Sequence, residues 1–183
     1  MGRKTVMKYS IRYLIDFIAL AFLYVLVFFR RWKHRGKDIL LVNTLLYLYL
    51  SLVLYFTLMP VIASLPFALN HPYKPMNLVP FIDVSMRRGD FVRQIVLNVM
   101  MTMPFGFLFP LTRDRTDTFI FGRTVFSCLL MSLGIELLQP LFNRSSDITD
   151  LITNVAGGIL GYGFYVVFKP VTCWILNRLK TGN

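Results

Sequence analysis

Glu136 and Gln139 lie three residues apart, and Asp147, Asp150 and Asn154 follow at spacings of three and four. On a helix the last three fall within about 60° of one another, so each set shares a face. Arg144 stands between the two sets, Asn77 and Pro80 belong to the string MNLVPF, and Asn98 lies one to two turns into a later apolar run. Residues of these types offer definite chemistry. Glu136, Asp147 and Asp150 could hold a divalent cation through oxygen ligands. Glu136 is a candidate general base, and Arg144 could hold a phosphate. The purely structural reading is as specific: Arg144 pairs with Glu136 or Asp147, and Asp147 caps a helix at its positive end. His34 and His71 fall in loops as surface residues, so a zinc hydrolase of the usual kind is disfavoured. The sequence holds no Ser/His/Asp pattern and no phosphate-cradling glycine loop.

Elements that carry these residues are read from hydropathy. Over 183 residues the chain is 56% hydrophobic, and its mean hydropathy is +0.59. Charge is confined to short blocks between apolar runs near the length of about 20 residues that a membrane span needs. Those runs lack the two-residue alternation of a barrel strand, so the reading is an all-α, polytopic transmembrane bundle of about five spans. Spans are expected over residues 13–29, 39–59, 92–111, 123–138 and 150–168. The connection over 60–91, with five prolines, should be a loop holding short helical or re-entrant pieces. Asp16 reads as a helix-end residue that snorkels or pairs. Gly157 and Gly161, four apart, and Gly158 beside them would pack helices. Cys128 and Cys173 read as small packing residues. After Pro170 the chain should form a short amphipathic tail on the membrane surface. The corresponding segments are 1–38, 39–169 and 170–183.

Two consequences follow from the order of spans. Two spans separate the 60–91 connection from the turn at 140–150, so both lie at one membrane face and the polar residues collect there. An ionisable group at membrane depth costs roughly 2.5–3.5 kcal/mol and normally faces a partner or a wet cavity. Twenty Lys and Arg against nine Asp and Glu give a formal charge of +11. No basic stripe interleaved with aromatics accompanies it, so the expected partner is the bilayer and not nucleic acid. Basic residues in the 30–37 loop, the 113–115 loop and the 169–180 tail favour one side; those of the N-terminal tail and of 74–93 favour the other. The short 30–37 loop carries most weight, which puts the N-terminus outside and the C-terminus in the cytoplasm.

Four strings together resemble the VanZ-like family of bacterial membrane proteins: MNLVPF (76–81), NVMMTMPFGFLFPL (98–111), SLGIELLQ (132–139) and RSSDITDLITNVAGGILGY (144–162). They occur in the family's order over residues 39–168, with residues 13–29 resembling an addition to a four-span core. The family's motif positions would be Asn77, Pro80, Phe81, Asn98, Pro104, Gly106, Glu136, Gln139, Arg144, Asp147, Asp150, Asn154 and Gly158. The resemblance implies a multi-pass protein of the bacterial cell membrane. The family's namesake confers resistance to the glycopeptide teicoplanin, with little protection against vancomycin. Three roles are open at this point: a non-enzymatic factor acting at the outer face, with a lipoglycopeptide or lipid-linked cell-wall precursor as partner; an intramembrane enzyme modifying an envelope lipid or polymer, using Glu136 as base and Asp147 and Asp150 on a metal; and a structural partner in an envelope complex.

Overall fold

A chain rich in Leu, Val, Ile and Phe satisfies its backbone in lipid by coiling each apolar run into a helix. The computed structural model describes residues 2–68, 72–86, 89–113 and 117–181, without the side chains of 2–10, 83 and 181. His71 and Arg115 therefore lie outside the described residues, as do the side chains of Arg3, Lys4 and Lys8. His34 is exposed, as expected. The helices are α1 (Gly2–Leu23), α2 (Arg30–Lys33), α3 (Lys37–Thr57), α4 (Ile82–Ser85), α5 (Phe91–Leu111), α6 (Ile120–Leu138) and α7 (Ile148–Thr181). A π-helical stretch, Tyr24–Phe29, joins α1 to α2. Five runs are long and apolar enough to cross a membrane: Ile11–Lys33, Lys37–Thr57, Phe91–Leu111, Ile120–Phe142 and Ile148–Lys180. The fold is thus the all-helical, five-span bundle read from the sequence, and among the described residues there is no strand. The 60–91 connection holds the expected short helical pieces, a 3-10 turn at Leu65–Phe67 and then α4.

The bundle is centred on α5 and α7, the most extensively packed pair. Small residues let these backbones meet. A Cβ at Gly161 would collide with the carbonyl of Met103, and one at Gly157 with the carbonyl of Val99. Gly106 of α5 lies against the carbonyl of Gly158 in the same way. Gly158 itself turns toward α6 and meets Cys128, which is fully buried. In lipid, close backbone approach takes over the part that hydrophobic burial plays in water. Phe105, Phe109 and Cys128 form the core, with Leu46, Tyr49, Leu50 and Met131 packed against it. Tyr49 donates its hydroxyl to the carbonyl of Met101 at 2.8 Å, tying α3 to α5. Pro104 and Pro110 both lie inside α5, which continues through them. Large apolar side chains on the outer surfaces, such as Leu48, Phe56, Phe126 and Val167, are exposed, as lipid-facing residues must be.

One expectation is corrected and another narrowed. Residues after Pro170 do not form a separate surface tail: α7 runs unbroken from Ile148 to Thr181. Proline removes one donor from the helix, but its neighbours have no better partner than the helix itself at this depth. At 1.5 Å per residue α7 spans roughly 50 Å, more than the hydrocarbon core of about 30 Å. Tilt and turns within the headgroup layers take up such an excess. Of the two courses expected of Asp16, snorkelling or pairing, the structure shows pairing. Asp16 is 3% exposed and accepts hydrogen bonds from the backbone N–H groups of Val61, at 2.6 Å, and Ile62, at 2.9 Å.

If close approach of α5 and α7 holds the bundle, Gly161→Leu should destabilise it by about 1–3 kcal/mol, the usual range for overpacking. Gly163→Ala should be near neutral, since nothing lies within 4 Å of a Cβ there. Thermal unfolding of the purified protein in nanodiscs would compare them, and equal midpoints would sink the packing argument.

Candidate functional site

The face of interest begins where α3 ends. A helix end leaves its last carbonyls without intrahelical donors. Arg144, from the turn before α7, supplies them: Nη1 donates to the carbonyls of Phe56 (2.9 Å) and Thr57 (2.8 Å), and Nη2 approaches that of Met59 at 3.5 Å. Asp16 takes the N–H groups just beyond. The residues that leave α3 are thus held by a cation and an anion from distant parts of the chain, each on backbone atoms.

α7 starts beside them. Asp147 is its N-cap: Oδ1 accepts from the N–H of Thr149 at 2.7 Å, which satisfies an orphan donor of the first turn. Its Oδ2 accepts from the Asn77 amide at 2.8 Å, and its own backbone N–H donates to Glu136 Oε2 at 3.0 Å. Asn77 pairs with the same segment through its backbone. Its N–H donates to the Ser146 carbonyl, and its carbonyl accepts from the N–H of Ile148, both at 2.9 Å. This is an isolated parallel bridge between Asn77 and Asp147. The Asn77 side-chain carbonyl turns back on the N–H of Val79 at 3.1 Å, an Asx turn. Phe81 then takes a left-handed backbone conformation, φ 54°, uncommon for a bulky residue. Its N–H donates to Thr149 Oγ1 at 2.9 Å. Pro80 is exposed and serves this turn. Gln139, oriented to suit its neighbours, puts its amide nitrogen 3.3 Å from both Glu136 Oε2 and the Ser145 carbonyl.

A deeper layer joins α5, α6 and α7. Asp150 Oδ1 accepts from Gln94 at 2.9 Å and from Asn98 at 2.7 Å. One turn further in, Thr102 donates to the carbonyl of Asn154 at 2.6 Å, and the Asn154 amide donates to Ser132 at 2.9 Å. Asn154 is 2% exposed, and among the described residues its side-chain carbonyl has no partner. Glu136, Asn154, Thr102 and Ser132 are among the most completely buried side chains.

Every predicted site residue from Asn77 to Asn154 except Pro80 therefore enters one connected region, but not with the expected partners. Arg144 binds neither Glu136 nor Asp147; it binds carbonyls. Among the described residues no carboxylate lies within ion-pair distance of it. The cap by Asp147 is as predicted. Glu136, Asp147 and Asp150, the candidate cation ligands, are engaged with other groups. Among the described residues no three His, Cys, Asp or Glu converge as ligands, and amide donors occupy oxygens of all three carboxylates. The cleft lined by Phe81, Phe91, Gln94 and Asp147 has a volume of about 10 Å³, near the smallest that admits a water. Gln94, Ser132, Thr149 and Asp16 were missed. Gln94 lies four residues before Asn98, so helical spacing was the signal that could have found it.

The family model described as VanZ/LLP1 matches residues 44–169. Protein VanZ of Enterococcus faecium is 33% identical over 122 residues, which are 66% of this chain and 71% of that protein. No solved structure matches. The matched residues contain the whole network from Asn77 to Asn154 and leave out α1 with Asp16.

Removing a buried anion that holds two N–H groups leaves both unsatisfied. Asp16→Ala should lower stability by about 1.5–3 kcal/mol, the scale of hydrogen bonds to charged groups. Asp90→Ala, at an exposed position without a side-chain cap, should change little. Unfolding midpoints in nanodiscs would distinguish them, and a silent Asp16→Ala would show that the α1 contact is dispensable.

Proposed function

This chain belongs to the VanZ/LLP1 family, and from that premise we propose that it lowers the susceptibility of a bacterial cell to teicoplanin, acting without catalysis at the outer face of the membrane. The observation that carries the non-enzymatic reading is the occupancy of the polar cluster. Glu136 is 1% exposed and holds the N-cap of α7, and Asp147 and Asp150 are engaged by Asn77, Gln94 and Asn98. A general base needs a free lone pair within reach of a substrate proton. These carboxylates are set as braces.

What the braces support is a membrane-boundary surface of mixed character. The 60–91 connection carries Phe67, Leu78 and Val79 at 63%, 71% and 55% exposure, beside the turn that holds Arg144 and Asp147. Non-helical backbone at this depth is tolerated only where its polar groups are satisfied. Asn77 and Asp147 provide that locally. Teicoplanin bears a fatty acyl chain that inserts in the bilayer, and vancomycin does not. An apolar loop fixed at headgroup level would compete for the place that such a chain takes near lipid-linked cell-wall precursor. Orientation enters the same reading. Arg30, Arg31, Lys33, Arg35 and Lys37 lie at the other end of the bundle, together with Arg113, as for a cytoplasmic face. On this reading the N-terminus is outside and the C-terminus inside.

Paired susceptibility measurements test this proposal in a host with and without the chain. Expression should raise resistance to teicoplanin far more than to vancomycin. Glu136→Ala at matched membrane level should return teicoplanin susceptibility to that of the host alone. A Val79→Cys variant should react with a membrane-impermeant maleimide in intact cells. Unchanged protection in Glu136→Ala would remove the cluster from the account, and a Val79→Cys protected from the reagent would reverse the orientation.

A further inference from the structure

A pocket of about 510 Å³ opens at the end of the bundle remote from the Asn77–Asp147 region. It lies between the start of α3, the end of α5 and the last turns of α7. Its polar lining is Arg35, Asp38, Asn43, Thr112, Arg113, Asn177 and Lys180, three cations against one carboxylate. Among the described residues no ion pair engages Arg35, Arg113 or Lys180. Like charges gathered around a concavity repel one another unless an anion enters, and low-dielectric walls strengthen the field inside.

Two further features define the anion. Gly36, which precedes α3, makes no side-chain capping bond. The positive dipole end of that 21-residue helix, with Asp38 in its first turn, borders the pocket, which Asp38 lines. The uninterrupted α7 explains why the pocket exists at all. Its final turns come level with Arg35 and Arg113, and Leu176 packs at the pocket's inner wall, 8% exposed. Beside the pocket, across α3, an apolar groove of about 390 Å³ is lined by Leu40, Leu41 and Leu179 with Lys37 at its edge. Charge at the helix ends with apolar surface next to it fits an amphiphile better than a free ion.

We propose that this pocket binds the phosphate group of an anionic phospholipid, with Arg35, Arg113 and Lys180 as its charged ligands and an acyl chain laid along Leu40, Leu41 and Leu179. The site shares no residue with the region around Glu136, and it stands or falls independently of any action on teicoplanin. Its residues come from three helices, so an occupied pocket would clamp the ends of α3, α5 and α7.

Native mass spectrometry of the full chain, titrated with phosphatidylglycerol and with phosphatidylcholine, is the test. Phosphatidylglycerol should give a saturable adduct that phosphatidylcholine does not. Arg35→Gln, Arg113→Gln and Lys180→Gln should each weaken it about fivefold, the value of one surface cation near anionic lipid. All three positions are exposed, so the variants should fold, and unchanged unfolding midpoints would check it. Arg30→Gln/Arg31→Gln, at the same end but outside the pocket, should leave the adduct intact. Equal weakening by that control pair would mean diffuse attraction and overturn the site. Inorganic phosphate alone should not displace the lipid; displacement at similar concentration would reassign the pocket to a free phosphate.

Discussion

A helix that begins at a membrane boundary has to satisfy its first N–H groups where water is scarce, and in this protein the solution to that problem organises one whole face. Asp147 caps α7 with one carboxylate oxygen and takes the Asn77 amide with the other. Its own N–H would be a further orphan, and Glu136, from a different helix, accepts it. One residue therefore joins the 60–91 connection, the end of α6 and the start of α7. An unpaired backbone group at that depth would cost several kcal/mol, so the three elements keep their relative positions or lose them together.

The same economy of backbone partners appears at the end of α3. Arg144 covers carbonyls there and Asp16 covers N–H groups. Neither charge seeks the other, although each would be costly alone. Guanidinium offers five donors in a fixed fork, and a carboxylate offers acceptors only, so a chain reversal that exposes both carbonyls and N–H groups needs one of each. Deeper in the bundle the demands change from hydrogen bonding to shape. Glycines at 106, 157 and 161 bring α5 and α7 to backbone contact, and Thr102 and Asn154 add hydrogen bonds that only such proximity permits.

The architecture was readable because its signals are local. Five apolar runs, Pro60 after α3 and Asp147 before α7 each announce an element or its end, and the parity of the spans alone puts Asn77 and Asp147 at one face. Helical spacing likewise identified Glu136 with Gln139 and Asp150 with Asn154. Illegible were the contacts whose partner is a backbone atom. Arg144 near two carboxylates suggests an ion pair, since sequence carries no sign that three carbonyls at 56–59 stand open. Asp16 in a first apolar run looks like a helix-end residue, because its N–H partners lie 45 residues away. Pro170 reads as a stop; only the surrounding apolar turns of α7, which have no alternative partner, carry the helix past it.

The central claim is that Asn77 and Asp147 act as one unit, and a double-mutant cycle measures that directly. Asn77→Ala, Asp147→Ala and the double variant would be compared with the parent by reversible unfolding in nanodiscs. A coupling of about 1.5 kcal/mol or more is predicted, as for a hydrogen bond to a charged group. Strictly additive effects would contradict the account, leaving the 60–91 connection and the start of α7 as neighbours that do not depend on each other.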